Sequence, residues 1–407
     1  MFLIVLAVMI VMASTVVASD EVHSVESTTN QGLTIYTEQV SDGAWNYAIA
    51  RFMFYYNSWV ISNPDILRGE STFLGMPFTI QGTPANVYYF PVITDGVIIG
   101  VFIVGVDVIR TGESGQTIYF GTLTSGLADE LNMIRESNYS SPVLLAFDNG
   151  NLFIQTSHEI ELISPSPWGG EPEWVSYDGL RAFQRGNDLQ VVAPLEKAIT
   201  NFNHPVSAYT ATLDYATFLE EEYIQPFSIP SNQLNTARFR TEQQGQRPWC
   251  SAYAAALIFR FLANNTTNPT AYSLMREVWG PEHSMPYFQL RQFSFHENDV
   301  VMVARTRGIN ASRTGRLTPL GVVNEINRGR PIYMVGYLQP RPGATGAHAW
   351  VIRGFTTHMC PIEGISVTSY SVWNPWNMNR YDAMDGASNI IFTVDGRSWQ
   401  WMRSITF

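Results

Sequence analysis

The sequence changes character near residue 232, and this change limits the architectures that the chain can adopt. Before it, short runs rich in Val, Ile, Tyr and Phe are separated by Gly, Asp and Asn, which is typical of strands joined by hairpins. After it, the Ala- and Leu-rich run 250–263 predicts a long helix, and strand-like runs follow it. Helices first and strands later predict an α+β C-terminal domain, preceded by a mostly antiparallel β domain.

The predicted elements follow from these runs. In the first part we expect one or two helices, one of them over 45–61, and strands over 86–93, 97–109, 117–123, 142–147 and 152–155. In the second part we expect helices over 250–263, 271–278, 287–293 and 318–327. Strands are expected over 331–338, 348–355, 365–373 and 389–394. The segment 226–233 is rich in Pro, Ser and Asn and predicts a linker.

Composition excludes several classes of protein. The chain has 407 residues, of which 45% are hydrophobic, 13% aromatic and 14% charged. Disordered, collagen-like and coiled-coil chains do not have this balance. Two cysteines cannot form a disulfide scaffold or a Cys-rich zinc site. A net charge of −11 argues against an electrostatic nucleic-acid binder.

The charge is divided unequally along the chain. Residues 1–232 carry 7 basic and 25 acidic side chains, whereas residues 233–407 carry 17 basic and 10 acidic ones. The basic residues are arginines except for one lysine, Lys197. This division suggests two oppositely charged surfaces that attract each other. A simple drift in composition between two domains explains it equally well.

The N-terminus has the pattern of an export signal. Residues 2–13 are almost wholly apolar, and small residues at 16–18 precede Ser19. We therefore expect a signal peptide over residues 1–18, a secreted protein, and contact with a membrane only during export. The apolar run is shorter than the ~20 residues of a membrane span. An uncleaved membrane anchor is the alternative, since no Lys or Arg precedes Arg51.

Cys250 stands at the start of the predicted long helix, directly after Trp249. A helix N-terminus carries partial positive charge and free N–H groups, which stabilise a thiolate. A histidine cation close by lowers the pKa of a thiol further, and the thiolate is a nucleophile. Cys250 is therefore the candidate nucleophile, with Trp249 as a supporting residue, and we expect the pKa of its thiol to be lowered.

His348, which enters a predicted strand, is the candidate partner of Cys250. Its imidazole can take the thiol proton and later protonate a leaving amine. The amide of Asn374 can accept from one ring nitrogen and fix the tautomer, and Trp376 can shield that hydrogen bond from water. The amide of Gln244, together with the backbone N–H of Cys250, can donate to a developing oxyanion, where one donor contributes about 3 kcal/mol.

Each of these residues also has a purely structural interpretation. In a secreted protein, Cys250 and Cys360 could pair as a disulfide. His348 could be a core histidine with its hydrogen bonds satisfied, and Asn374-Pro375 could be a plain turn. No set of His, Cys, Asp or Glu has metal-ligand spacing, so no metal or cofactor is expected.

Taken together, the motifs resemble a known family. The runs Gln-Gly-Gln-Arg-Pro-Trp-Cys at 244–250, Gly-Ala-His-Ala at 346–349 and Trp-Asn-Pro-Trp at 373–376 are similar to those of papain-like cysteine peptidases. They resemble most closely the staphopains, which are secreted bacterial members of that clan. The resemblance covers about residues 233–407 and implies a two-lobed catalytic domain, with a helical lobe and a β-barrel-like lobe.

The resemblance also implies a layout and a set of roles. The chain would be a zymogen, with a signal peptide over 1–18, an inhibitory propeptide over 19–232 and the peptidase over 233–407. Cys250 would be the nucleophile, His348 the general base and acid, Asn374 the residue that orients it, and Gln244 the oxyanion donor. The partners would be polypeptide substrates and the chain's own propeptide, which would act as an intramolecular inhibitor. No nucleic-acid partner is expected.

Three other hypotheses fit parts of the sequence. The same Cys and His residues occur in transglutaminase-like enzymes and cell-wall amidases, although Gln244 and Asn374 argue against those groups. The C-terminal domain could be a catalytically inactive binding module. The N-terminal domain could remain attached as a targeting or substrate-binding module.

Overall fold

The structure is a computed structural model, and it describes most of the chain in several stretches. These are residues 42–66, 72–75, 77–78, 80, 87–111, 114–136, 144–148, 151–155, 160–164, 228–245, 247–290, 295–338, 346–360, 365–376, 380–392 and 397–407. The expected signal peptide, residues 1–18, lies outside them, as do residues 291–293 of the helix predicted over 287–293 and residues 226–227 of the predicted linker.

The N-terminal part contains two helices and seven strands among its described residues. They are α1 (Asp42–Ser62), β1 (Thr72–Leu74), β2 (Val87–Thr94), β3 (Val97–Thr111), β4 (Ser114–Thr124), α2 (Ala128–Glu136), β5 (Leu144–Asp148), β6 (Asn151–Gln155) and β7 (Ile160–Ser164). Asp95 and Gly96 join β2 to β3 with φ values of +48° and +80°, as a two-residue hairpin turn requires. The helix predicted over 45–61 and the strands predicted in this part are confirmed.

The C-terminal part begins with a strand, continues with helices and ends in strands. Its elements are β8 (Ser228–Gln233), a 3₁₀ turn (Ala237–Phe239), α3 (Cys250–Leu262), α4 (Ala271–Trp279), α5 (Met285–Leu290), α6 (Glu297–Thr306), β9 (Ser312–Gly315), α7 (Pro319–Asn327), β10 (Ile332–Leu338), β11 (Ala347–Cys360), β12 (Ile365–Trp373), β13 (Tyr381–Asp385), β14 (Ile390–Phe392) and β15 (Ser398–Thr406). The predicted α+β class is confirmed. The linker prediction is wrong for residues 228–233, because they pair with β11 as β8.

Local signals explain where the helices begin and end. The Thr318 hydroxyl accepts from the Gly321 N–H, Pro319 occupies the first turn of α7, and Gly329 follows its end with φ +76°. At α4, the Thr270 hydroxyl accepts from the Ser273 N–H. The α3 run has few polar residues, and its side chains are buried over most of the helix.

Twelve strands form one antiparallel sheet that includes both parts of the chain. Ten of them follow the order β1-β2-β3-β4-β13-β12-β11-β10-β15-β14, with β8 added on β11 and β9 on β15. The two parts join where Leu123 and Thr122 of β4 pair with Ala383 and Met384 of β13. Strands β5, β6 and β7 form a separate small sheet. No pattern in the sequence predicted that the two parts share a sheet.

The C-terminal strands present two buried faces. Residues Tyr333, Val335, Ala349 and Val351 pack with α3 on one face. Their neighbours in the chain, such as Trp350, pack with α7 on the other face. This alternation follows from the two-residue repeat of a strand. It places the start of β11 beside the first turn of α3.

Candidate active site

Cys250 is the first residue of α3, and it is 7% exposed. Trp249 caps the helix with non-helical dihedrals, φ −116° and ψ 32°, and its ring packs edge-on against Phe288 at 6.1 Å between ring centroids. The buried indole therefore fixes where the helix begins. The backbone N–H of a first-turn residue has no partner within its own helix, so it is available to a ligand.

The thiol of Cys250 faces the beginning of β11. Its Sγ lies 4.0 Å from the carbonyl oxygen of Ala347, to which the thiol donates. The backbone of Ala349 and the Ser251 hydroxyl also hydrogen-bond the sulfur. His348 lies between these two alanines, so the fold places the backbone of the predicted base beside the thiol of the predicted nucleophile.

His348 is held by Asn374. The distance from His348 Nε2 to Asn374 Oδ1 is 3.0 Å, and the same oxygen accepts from the backbone N–H of Trp376 at 3.1 Å. Because the Trp376 N–H can only donate, the Asn374 atom facing it must be the carbonyl oxygen. His348 therefore carries its proton on Nε2, and Nδ1 is the basic nitrogen of the neutral ring.

Three indoles surround the imidazole of His348. Trp376 stacks on it with ring centroids 3.7 Å apart, Trp350 meets it edge-on at 4.3 Å, and Trp399 lies at 5.7 Å. His348 and Asn374 are 1% and 3% exposed. The hydrogen bond between them is consequently shielded from water, with Trp376 on the side that the sequence predicted.

Gln244 joins this assembly from the loop before α3. Its backbone N–H donates to the Pro375 carbonyl at 3.4 Å, and its side-chain Nε2 donates to the Arg247 carbonyl at 2.6 Å. Gln244 is fully buried. An amide nitrogen carries two hydrogens, so the contact with Arg247 orients the side chain and leaves a second N–H.

The pKa values differ from the sequence-based expectation. Burial raises the pKa of the Cys250 thiol, although hydrogen bonds from Ala349 and Ser251 oppose this shift. Burial also lowers the pKa of His348 to about 3, while the hydrogen bond to Asn374 acts in the opposite direction. The prediction that the pKa of Cys250 is lowered is therefore wrong while His348 is neutral, because desolvation of the buried thiol is the larger effect.

Most residues of the candidate site were predicted from the sequence, but Trp350 and Trp399 were not. The structure brings together Gln244, Trp249, Cys250, His348, Asn374 and Trp376. Trp350 was missed although it lies two residues after His348, a spacing that places both on one face of a strand. Trp399 comes from β15 and had no local signal.

The structure bears on the disulfide alternative, and its described residues can be searched for metal sites and membrane spans. Cys250 is a free thiol, so it is not joined to Cys360 in a disulfide. Within the stretches given above, no group of three or more His, Cys, Asp or Glu side chains is arranged to hold a metal. No helix in the described part of the chain combines the length and apolar character needed to cross a membrane.

Comparison with known proteins shows what the sequence is similar to. Residues 228–407 match the family described as Staphopain peptidase C47. Staphopain B from Staphylococcus aureus strains N315, Mu50 and NCTC 8325 is 22% identical over 343 residues, which is 82% of this chain and 78% of the relative. That coverage is longer than residues 228–407, so the similarity extends into the N-terminal part. The C-terminal part is therefore similar to the staphopain peptidases, family C47, which are cysteine peptidases.

Proposed function

We propose that this protein is a secreted cysteine endopeptidase made as a zymogen, in which Cys250 attacks the peptide bond. The observation that carries the proposal is the pair of hydrogen bonds on Asn374 Oδ1, from His348 and from the Trp376 N–H, beside the thiol at the start of α3. This arrangement fixes the tautomer in which the imidazole can accept the thiol proton. The similarity of residues 228–407 to a cysteine peptidase family supports the same chemistry.

The reaction begins with transfer of a proton from Cys250 to His348. Burial disfavours each charged form alone, so thiolate and imidazolium form together as a pair whose attraction offsets their desolvation. The thiolate adds to the peptide carbonyl, and the imidazolium protonates the leaving amine. Water then hydrolyses the thioester, with His348 as the general base.

The developing oxyanion has two donors in this proposal. One is the backbone N–H of Cys250, which has no partner within α3. The other is the second amide N–H of Gln244, whose side chain the Arg247 carbonyl holds in place at 2.6 Å. Two such donors, fixed before the substrate binds, stabilise the tetrahedral intermediate without reorganisation.

The proposal extends to the architecture of the peptidase domain. We propose a two-lobed papain-like domain over residues 233–407, with helices α3 to α6 in one lobe and the strands that carry His348 and Asn374 in a β-barrel-like lobe. An extended polypeptide substrate would lie between the lobes and pair with backbone groups. β8 begins five residues before this proposed boundary, as does the family match.

The zymogen layout is supported by contact between the two parts. Residues 19–232 would be the inhibitory propeptide, following the signal peptide over 1–18. In the described residues, β4 pairs with β13, and the Tyr47 hydroxyl donates to Asp385 at 2.9 Å. One long ion pair, Arg380 with Asp65 at 4.0 Å, also joins the parts. Their opposite net charges favour association.

Labelling of the nucleophile tests the proposal directly. The matured protein is treated with an epoxide inhibitor of papain-like enzymes, and the labelled peptide is identified by mass spectrometry. Cys360→Ala is the matched control, since the chain has two cysteines. We expect labelling of Cys250 and digestion of casein by the wild type and by Cys360→Ala, and neither with Cys250→Ala. Casein digestion by Cys250→Ala would overturn the assignment.

The proposed division into propeptide and peptidase is tested by N-terminal sequencing. The secreted, active protein should begin near residue 233. An active enzyme that retains residues before 165 would instead show that the N-terminal part stays attached.

A further inference from the structure

Helix α1 belongs to the hydrophobic core of the N-terminal part. Trp59 is fully buried, and its ring lies so close to β3 that a Cβ at Gly100 would be 2.7 Å from it. Tyr55 packs against Phe102 with ring centroids 5.0 Å apart. The helix is therefore fixed to the N-terminal strands along its length.

The C-terminal end of α1 is buried against β11 and β13 of the C-terminal part. Asn63, the residue after α1, donates from Nδ2 to the Tyr381 carbonyl at 2.9 Å and accepts at Oδ1 from the Tyr381 N–H at 2.7 Å. Its amide thus pairs with the β13 backbone as a neighbouring strand would. Asn63 and Tyr381 are each 2% exposed, so water cannot replace either bond without opening the contact.

Arg353 completes the contact. It is the extra residue of a bulge in β11, where the register against β12 shifts between Ile352 and Gly354. Its Nη2 donates to the carbonyl of Ser62 at 3.0 Å, which is the last residue of α1. The negative end of a helix dipole therefore faces a buried guanidinium.

The other contacts of Arg353 hold it within the peptidase part. Nε donates to Ser371 Oγ at 3.0 Å, and Nη1 donates to the Leu234 carbonyl at 2.9 Å. The guanidinium lies 3.8 Å above the centre of the Tyr381 ring. Among the described residues no carboxylate pairs with it, and burial lowers its pKa to about 10. The helix end thus supplies polar contacts to a cation that is 6% exposed.

We propose that Ser62 and Asn63, bound to Arg353 and the Tyr381 backbone, form a latch that keeps the N-terminal part on the peptidase after the chain between them is cut. The inference rests on the proposed zymogen layout and adds to it the contact that delays release. Fully desolvated hydrogen bonds at the centre of a contact contribute more to affinity than charges at its rim. The latch, rather than the overall charge difference, would then determine how slowly the cut fragment leaves.

The single lysine of the chain provides the test. A lysine-specific endopeptidase cuts once, after Lys197, and so separates the two parts. The experiment uses the full chain with Cys250→Ala, which cannot digest itself, and follows the fragments by size exclusion and by their dissociation rate. We expect the wild-type fragments to elute together, and Asn63→Ala to dissociate about 10- to 100-fold faster.

Asn132→Ala is the matched control. The Asn132 side chain also bonds one backbone N–H and carbonyl, those of Ile98, at 3.1 and 2.8 Å, but within the N-terminal part. We expect its fragments to stay together as in the wild type. Arg353→Gln, which removes the guanidinium without adding a lysine, provides a second variant if Asn63→Ala does not fold, and we expect its fragments to dissociate faster too.

Salt distinguishes the latch from general attraction. At 1 M NaCl, buried hydrogen bonds keep their strength while exposed charges are screened. Equal retention of the fragments in wild type, Asn63→Ala and Arg353→Gln would overturn the latch, as would release of the wild-type fragment by salt alone. Because the assay uses an inactive chain, its failure leaves the proposed peptidase activity untouched, and the labelling experiment tests that activity separately.

Discussion

The replacement Asn374→Ala removes an acceptor that two buried donors share. Oδ1 lies 3.0 Å from His348 Nε2 and 3.1 Å from the Trp376 N–H nitrogen. Both donors are enclosed by indoles, so neither gains water in exchange. Losing the bond to Nε2 costs the productive tautomer about 1–2 kcal/mol. The fraction of His348 that can accept the thiol proton then falls about 5- to 30-fold.

The assay compares initial rates of fluorescent casein cleavage and rates of epoxide inactivation for the matured enzymes. We expect both to fall about 5- to 30-fold for Asn374→Ala, with KM changed less than about threefold. Asn374→Asp, which has the same shape, keeps an acceptor for both donors and favours the imidazolium, so its pH profile should shift while most activity remains. A folded Asn374→Ala variant with wild-type inactivation rates would refute the orienting role.

Three further predictions concern the thiol, a buried acid and a strand glycine. In a Cys360→Ala chain, His348→Ala should move the midpoint of Cys250 alkylation by iodoacetamide to higher pH, since burial alone raises that thiol's pKa; an unchanged profile would show that no ion pair forms. Burial raises the pKa of Asp382 to about 7, above its value in the unfolded chain. The native state therefore holds a proton there, and its stability declines as pH rises from about 4 to 7. In a Cys250→Ala chain, Asp382→Asn should flatten this decline when the melting temperature is measured against pH. Gly336→Ala would place a Cβ 2.7 Å from the ring of Trp350 and should destabilise the fold by about 1–3 kcal/mol, whereas Gly315→Ala, where nothing lies within 4 Å, should not.

Elements with local signals were predictable from the sequence. α3 and β12 have nearly the predicted bounds, because an uninterrupted Ala-rich run and an alternating strand between turn residues leave few alternatives. The candidate site was predictable for a related reason: its residues lie in short motifs next to the ends of these elements.

Elements that lack a clear local pattern, or that depend on distant partners, were missed. α6 (Glu297–Thr306) contains the run Val-Val-Met-Val, which lacks a clear helical period, and its start depends on a bond from the His296 N–H to the Asp299 carboxylate. β13 and β15 are strands because they pair with β12 and β10. β8 was expected to be a linker from its composition, and pairing with β11 overrides that tendency.

The pKa of Cys250 shows why site chemistry is harder to predict than site membership. The sequence places the thiol at a helix start, which favours its anion. It does not show that Ala347, Ala349 and three indoles exclude water from the pair. Burial depends on strands far apart in the chain, and here it is the largest single influence on the pKa of Cys250 and on that of His348.

The narrow seam between β4 and β13 has a mechanical consequence. Two residue pairs span it, Leu123 with Ala383 and Thr122 with Met384, whereas β3 and β4 are paired from Val101–Thr124 to Thr111–Ser114. Two pairs of residues offer little resistance to a force across this seam. When the two parts are pulled away from each other, most of the resistance should therefore come from the buried end of α1, at Ser62 and Asn63, and not from the sheet that the parts share.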